Sequence, residues 1–371
     1  MKFSCEREKL LNAFGIAASV APVRSPKAVL QNVKVEASSN SLVFSATDME
    51  VGVRIEVPEV DVKTGGSALL PVARFGSILR ESSDASLSIN VTEKGAEIRG
   101  ERSKFNLPSG NPDEFPNVAS FQEEKCHEVS ARLFKELVKR TIFATDTESS
   151  RYALGGVLLE FDSQKIVAVG TDGRRLAKME GPAVSIGDHQ TRDTMTIVPT
   201  KSMQLMDRAL LDSDAEIRIA ARGNDILVKS QRATIFSRLV EGRFPRWKDV
   251  FPQRADAIRL ELPVGQVHSA IRQAAVVASE DSRGVDFTFG DGLLVLSGST
   301  AEVGQSRVEL PISYTGEPIT IAMDNRYVSD FLKVLDPAKN FTLEIESGDA
   351  AALFTTEDGY GYVVMPMARD R

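Results

Sequence analysis

Apolar and polar positions alternate along this chain with two different periods. Leu30 to Val35, Leu42 to Ala46, Val157 to Glu160, Ile166 to Val169, Val285 to Phe289 and Leu293 to Leu296 alternate at every second residue, which predicts strands buried on one face. Other stretches repeat their apolar residues three and four apart. These predict amphipathic helices over 6–18, 72–80, 131–144, 200–211, 264–278 and 324–335.

The elements recur in one order, strand, helix, strands, strand, helix, strands, three times over. The copies open with Met1 to Ser4 before the first helix, His127 to Ser130 before the third and Ile258 to Leu262 before the fifth. Ser4 and Ser130 stand where an N-cap hydroxyl is expected. The second strand–helix pairs begin at Ala68-Leu69-Leu70-Pro71, Thr196-Ile197-Val198-Pro199 and Ile319-Thr320-Ile321-Ala322. Phe115-Pro116 and Phe244-Pro245 end the first two copies alike. The expectation is three domains, 1–122, 126–252 and 256–371, each an α+β unit with two helices packed on antiparallel sheet.

Charge sets the helices apart from the rest. The 371 residues carry a formal charge of −7, whereas the six predicted helices together carry +7, leaving −14 outside them. The cations also fall in stripes. Arg132, Lys135 and Lys139 share one helical face, as do Lys201, Gln204 and Arg208, then His268 and Arg272, then Arg326, Ser329 and Lys333. Each stripe alone reads as a solvated helix face. Six helices biased together against an acidic background suit contact with phosphates. The stripes lack the interleaved aromatics that stack on single-stranded bases, and no base-reading motif is present, so the nucleic acid expected is duplex, held without sequence preference.

Catalytic patterns are missing. There is no Gly-rich phosphate loop and no Gly-x-Ser-x-Gly elbow. His127, His189 and His268 are scattered without metal spacing, and Cys5 and Cys126 are far apart, so no metal or cofactor is expected. The charged start Met1-Lys2-Phe3-Ser4-Cys5-Glu6-Arg7 and the lack of a long apolar run lead to a cytoplasmic expectation with no membrane partner. Thr171-Asp172-Gly173 is the best enzyme candidate, an Asp in a tight turn after a strand. Asp-Gly is equally a hairpin signal, and it sits between Ile166–Gly170 and Leu176–Met179 as a hairpin requires.

The last predicted strand, Tyr362-Val363-Val364-Met365-Pro366-Met367, sets two methionines around a proline near the chain end, and flexible methionines suit a surface that accepts several partners. With Met1-Lys2-Phe3, Thr171-Asp172-Gly173-Arg174-Arg175-Leu176, Leu239 to Pro245 and Arg283-Gly284-Val285, in this order, the chain resembles the bacterial β sliding clamp family, the β subunit of DNA polymerase III. The likeness runs through essentially the whole length. It implies the DNA clamp fold and a ring-shaped, head-to-tail homodimer of three-domain subunits, with twelve helices lining the pore. Helices packed about 8–10 Å apart around such a circle leave a hole on the order of 20–28 Å, wide enough for duplex.

The resemblance also implies roles for particular residues. A pocket for a short partner peptide falls on Leu154, Thr171, Gly173, Arg174, Arg175, Leu176, Pro245, Val250, Val363, Met365, Pro366 and Met367. DNA contacts fall on Arg24 and Tyr152, beside the helix cations Arg74, Arg132, Lys135, Lys139, Arg140, Lys201, Arg208 and Arg272. The dimer joint falls on Phe105 and Leu107 against Val276 and Val277 of the second copy, with Arg74 and Lys104 adding ion pairs. The implied partners are double-stranded DNA, the replicative polymerase catalytic subunit, the clamp loader ATPase, and clamp-binding repair polymerases and ligase. The chain departs from the family pattern at Arg174, where a histidine is common, at Asp249, near the pocket rim, where other members can carry an arginine, at Ala153, where some members carry a second tyrosine, and in the four residues after Met367. Two other readings stay open on the residues alone: a scaffold that uses the methionine-rich groove without touching DNA, and a hydrolase built around Asp172.

Overall fold

The computed structural model describes residues 1–146, 148, 153–191, 195–252, 257–278, 283–300 and 303–367. Tyr152 and the four residues after Met367 lie outside them. The described helices are α1 (Arg7–Ala18), α2 (Val72–Glu81), α3 (Ala131–Thr141), α4 (Thr200–Ala209), α5 (Trp247–Val250), α6 (Val264–Ala274) and α7 (Asn325–Lys333). Six answer the apolar spacing; the short α5 follows Phe244-Pro245 and carried no periodic signal. No described helix is long and apolar enough to cross a membrane.

The helices end where local bonding competes with them. In α3 the Thr141 hydroxyl donates to the Leu137 carbonyl (2.6 Å), the helix gives way to a 3₁₀ turn over Ile142–Ala144, and Gly170 presses so close that a Cβ there would meet the Thr141 carbonyl at 2.2 Å. Helix α6 likewise stops at Ala274, before a 3₁₀ turn over Ala275–Val277. Ser130 caps α3 as expected, its Oγ accepting the Leu133 N–H at 3.2 Å. Ser4 does not cap α1, because the first strand continues through Glu6 and the helix begins at Arg7.

The chain forms two compact units, Met1–Lys135 with Asp162–Gln164 and Ala183–Leu239, and Glu136–Phe161 with Lys165–Pro182 and Val240–Arg371. The first holds a five-stranded antiparallel sheet, in the order Asp61–Thr64, Lys2–Glu6, Ser86–Thr92, Gly95–Arg99, Lys104–Leu107. It also holds a nine-stranded sheet in which Ala233–Arg238 of the second copy pairs with Val51–Val57 of the first, Ile235 opposite Val53. In the second unit Arg175–Pro182 pairs with Tyr360–Val364, Leu176 opposite Val363. A four-stranded sheet runs Gly304–Pro311, Leu293–Thr300, Gly284–Gly290, Ile319–Asp324. Sheets therefore continue from one sequence copy into the next, which hides strand edges that a free-standing copy would expose.

Apolar helix faces close the cores. Phe14 of α1 meets Phe75 of α2 edge-on at 4.9 Å, and Phe134, Leu137 and Val138 of α3 are buried while Arg132 and Lys139 are exposed. Phe331 of α7 stacks on Tyr362 at 5.3 Å and on Tyr360 at 5.4 Å. Burying a side chain of that kind contributes about 1.5–3 kcal/mol, so α7 is anchored directly to the C-terminal strand.

Candidate functional site

The turn between Lys165–Thr171 and Arg175–Pro182 organises the second unit's candidate site. Gly173 adopts φ +87°, in the left-handed region that favours glycine. Asp172 Oδ1 accepts the Arg174 and Arg175 N–H groups at 2.9 and 3.0 Å, and its Oδ2 accepts Arg175 Nε at 2.9 Å. The Thr171 hydroxyl accepts the Gly173 N–H (3.1 Å) and donates to the Arg175 carbonyl (2.6 Å). Both Asp172 oxygens are thus taken up in shaping the turn. The hairpin reading of Asp-Gly holds, and the nucleophile reading has no geometric support.

Arg175 is the cation beneath this turn. Its side chain is only 10% exposed. Besides Asp172 it donates through Nη1 to Asp330 (2.8 Å) and through Nη2 to the Phe143 carbonyl (2.6 Å), and its guanidinium lies 4.4 Å from the Tyr327 ring centroid. Burial by itself would depress its pKa, but Tyr362, Asp330 and Asp172 outweigh burial and hold it above the ordinary value. Tyr362 is raised in turn, first by burial, and its hydroxyl donates to the Tyr327 carbonyl at 3.0 Å.

The C-terminal strand docks on the turn. The Met365 N–H donates to the Arg174 carbonyl (2.9 Å) and the Met367 N–H to the Ala322 carbonyl (2.8 Å). Met365 and Met367 are 46% and 38% exposed, and Val250 is 43% exposed, large apolar side chains left open to solvent. Leu154, Thr171, Leu176 and Val363 are buried, Gly173 and Arg174 exposed, and Pro245 and Pro366 half-buried. Ala153 donates to the Arg243 carbonyl (3.2 Å), tying the Leu154 segment to the Pro245 stretch. Phe251 rests on Gly361, where a Cβ would come within 2.6 Å of its ring, so the α5 segment reaches the C-terminal strand.

Several contributors carried no signal in the sequence reading. Asp330 and Tyr327 meet Arg175 across more than 150 residues, and only their spacing on one helix hinted at a shared face. Gly284, quoted only as part of a motif, lets the Met367 sulfur lie 3.4 Å from where a Cβ would stand. His127 and His189, read as scattered, are buried together with Nδ1 atoms 2.7 Å apart, because antiparallel pairing puts Cys126–Ser130 beside Val184–Ile186.

The cations are distributed unevenly. Arg24, Arg74, Arg132, Lys139, Lys201, Arg208 and Arg272 are exposed. Arg132 pairs with Asp214 and Lys135 with Asp207 (3.9 Å), partners exposed enough to exchange for another anion, while Lys201 meets the less exposed Asp48 (3.5 Å). Arg140 is different: it donates to Glu136 (2.8 Å) and Asp358 (2.7 Å) and covers the Tyr360 ring. The Arg326–Ser329–Lys333 stripe is interrupted, since Ser329 is buried. At the expected joint, Lys104 pairs with Glu97 (2.6 Å) on the outermost strand of its sheet, where Phe105 is exposed and Leu107 half-buried. Val276 is exposed, and Val277 is half-buried beside the edge strand Gly304–Pro311. No group of His, Cys, Asp and Glu able to hold a metal occurs among the described residues.

Family models for the DNA polymerase III beta subunit match the chain in succession: the N-terminal domain at 1–119, the central domain at 128–246 and the C-terminal domain at 248–368. The chain belongs to the DNA polymerase III beta subunit family. It is 30% identical over 370 residues to the beta sliding clamp of Chlamydia muridarum, covering 99% of each chain. It is 29% identical to that of Pseudomonas aeruginosa over 374 residues, 99% of this chain and 100% of the relative. A crystal structure of the Pseudomonas aeruginosa sliding clamp bound to griselimycin matches with a TM-score of 0.92 at 27% identity, each chain fully covered. The Caulobacter crescentus clamp matches with 0.85 at 26%, again over the full length of both. The α+β, three-domain clamp fold expected from the sequence is therefore borne out.

Proposed function

We propose that this chain is a DNA sliding clamp with no catalysis of its own. Two copies close head to tail around duplex DNA and hold the replicative polymerase at its work. Each copy supplies domains bounded near 1–122, 126–252 and 256–371, with helices toward the hole. The reading rests on one observation above all: exposed cations on α2, α3, α4 and α6 in a chain of net charge −7. Such faces attract phosphates without reading bases, and mobile ions screen them enough for the ring to slide. The ring closes where the open edge strand Lys104–Leu107 of one copy meets the Val276 region of the other.

Met365, Met367 and Val250 receive the apolar anchors of a partner peptide above the Thr171–Arg175 turn. Tethering through that pocket raises the partner's effective concentration at the primer end, which is processivity. The partners are the polymerase catalytic subunit, the clamp loader ATPase, and repair polymerases and ligase, in the cytoplasm on the nucleoid.

The test is retention. The protein is loaded onto nicked circular plasmid with its clamp loader and ATP, then passed over a sizing column before and after the plasmid is cut once. Retention on the circle and loss from the cut molecule is expected. Equal retention on both overturns topological holding, and none on either favours a scaffold that never encircles DNA. Reversing Arg132, Lys135 and Lys139 together lowers retention for a clamp and changes nothing for a scaffold.

A further inference from the structure

Asp330 offers its two oxygens to two different cations. Oδ2 takes Arg175 Nη1 at 2.8 Å, under the Thr171–Arg175 turn, and Oδ1 takes Lys333 Nζ at 3.1 Å, one turn further along α7. The Arg175 side chain is 10% exposed and that of Lys333 is 58% exposed. Lys333 also shares its surroundings with the exposed Arg272 of α6: both repel a proton from His268, whose pKa is lowered first by burial and then by these two cations.

From Arg175 the contacts run on without a gap. Its Nε grips Asp172, Asp172 fixes the Arg174 and Arg175 N–H groups, and the Arg174 carbonyl takes the Met365 N–H. One carboxylate therefore links an exposed lysine to the backbone that presents Met365.

We propose that Asp330 is a positioning residue for the peptide pocket and that it couples the pocket to Lys333: when a duplex phosphate engages Lys333, the carboxylate is released to Arg175 and peptide affinity rises. The coupling rests on the sliding-clamp reading of both surfaces. Reciprocity follows, since a filled pocket then favours phosphate at Lys333 by the same factor.

The probe is a short fluorescein-labelled peptide with Leu and Phe anchors, selected on the wild-type protein and followed by anisotropy at fixed ionic strength. Asp330→Asn weakens binding about tenfold, within the range of measured coupling between sites, and Asp330→Glu restores part of it. Lys333→Gln, on an exposed side chain that leaves the fold intact, tightens binding about twofold, the scale of an exposed helical ion pair. In the Asp330→Asn background Lys333→Gln has no effect, an epistasis that a merely structural Asp330 does not produce. Loading wild-type protein on nicked circular duplex gives the same about twofold gain, and inorganic phosphate at equal ionic strength does not. Additive effects of the two substitutions, or an equal gain on loading the Lys333→Gln protein, overturn the coupling alone. Binding that survives Met365→Ala with Met367→Ala, or a selection on wild type that yields no binding peptide, overturns the pocket itself.

Discussion

The Met365 N–H donates to the Arg174 carbonyl at 2.9 Å, so the segment just after the last strand lies against the Asp-Gly turn. Gly173 shapes the turn that precedes Arg174, with a φ of +87°, and a Cβ there would meet nothing within 4 Å. Gly173→Ala therefore acts through backbone strain alone, costing about 1–2 kcal/mol. Peptide affinity should fall several-fold in anisotropy while sizing behaviour stays that of wild type. Unaltered affinity would remove the turn from the site.

Among the described residues, Phe105 is exposed on a strand that has a neighbour on one side only, and Val276 is 76% exposed. A ring joint that covers them cannot take a buried unpaired charge. Phe105→Arg is expected to elute as a monomer, and a persisting dimer places the joint elsewhere.

Buried His127 gives the protein a pH dependence. His127 Nε2 lies 2.7 Å from the Asp162 carbonyl and its Nδ1 lies 2.7 Å from His189 Nδ1, while His189 Nε2 meets both the N–H (3.1 Å) and the carbonyl (3.0 Å) of Ala221. Burial, with the second ring's repulsion, holds the His127 pKa below 6.5, against the pull of Asp162. The unfolded chain then binds the proton more readily. The contribution to stability is complete above about pH 6.5 and is lost as pH falls toward the depressed folded value. Melting temperature should drop across that range in wild type and drop less in His127→Gln; a flat wild-type profile down to about pH 5 refutes it.

Two serines looked alike and differ. Ser130 Oγ caps α3 through the Leu133 N–H, whereas Ser4 lies inside a strand. Urea unfolding should show Ser130→Ala losing about 1 kcal/mol, with no cap to lose at Ser4→Ala. Equal losses would mean that the cap bond carries no weight.

The sequence by itself determined the elements, the triple order and the cation bias, because these rest on local periodicity: Phe134, Leu137 and Val138 face inward whenever that segment is helical, and Arg132 and Lys139 then face out. It also marked Met365 and Met367 as apolar groups near a chain end. Only the tertiary structure decided which distant groups meet. Strand pairing set Leu176 beside Val363, joined His127 to His189, and brought Asp330 to Arg175. It also turned Ser329 inward and committed Arg140 to Glu136 and Asp358. Periodicity fixes which face of an element is apolar, whereas the neighbour that covers that face comes from sheet register and helix packing, which join residues more than a hundred positions apart.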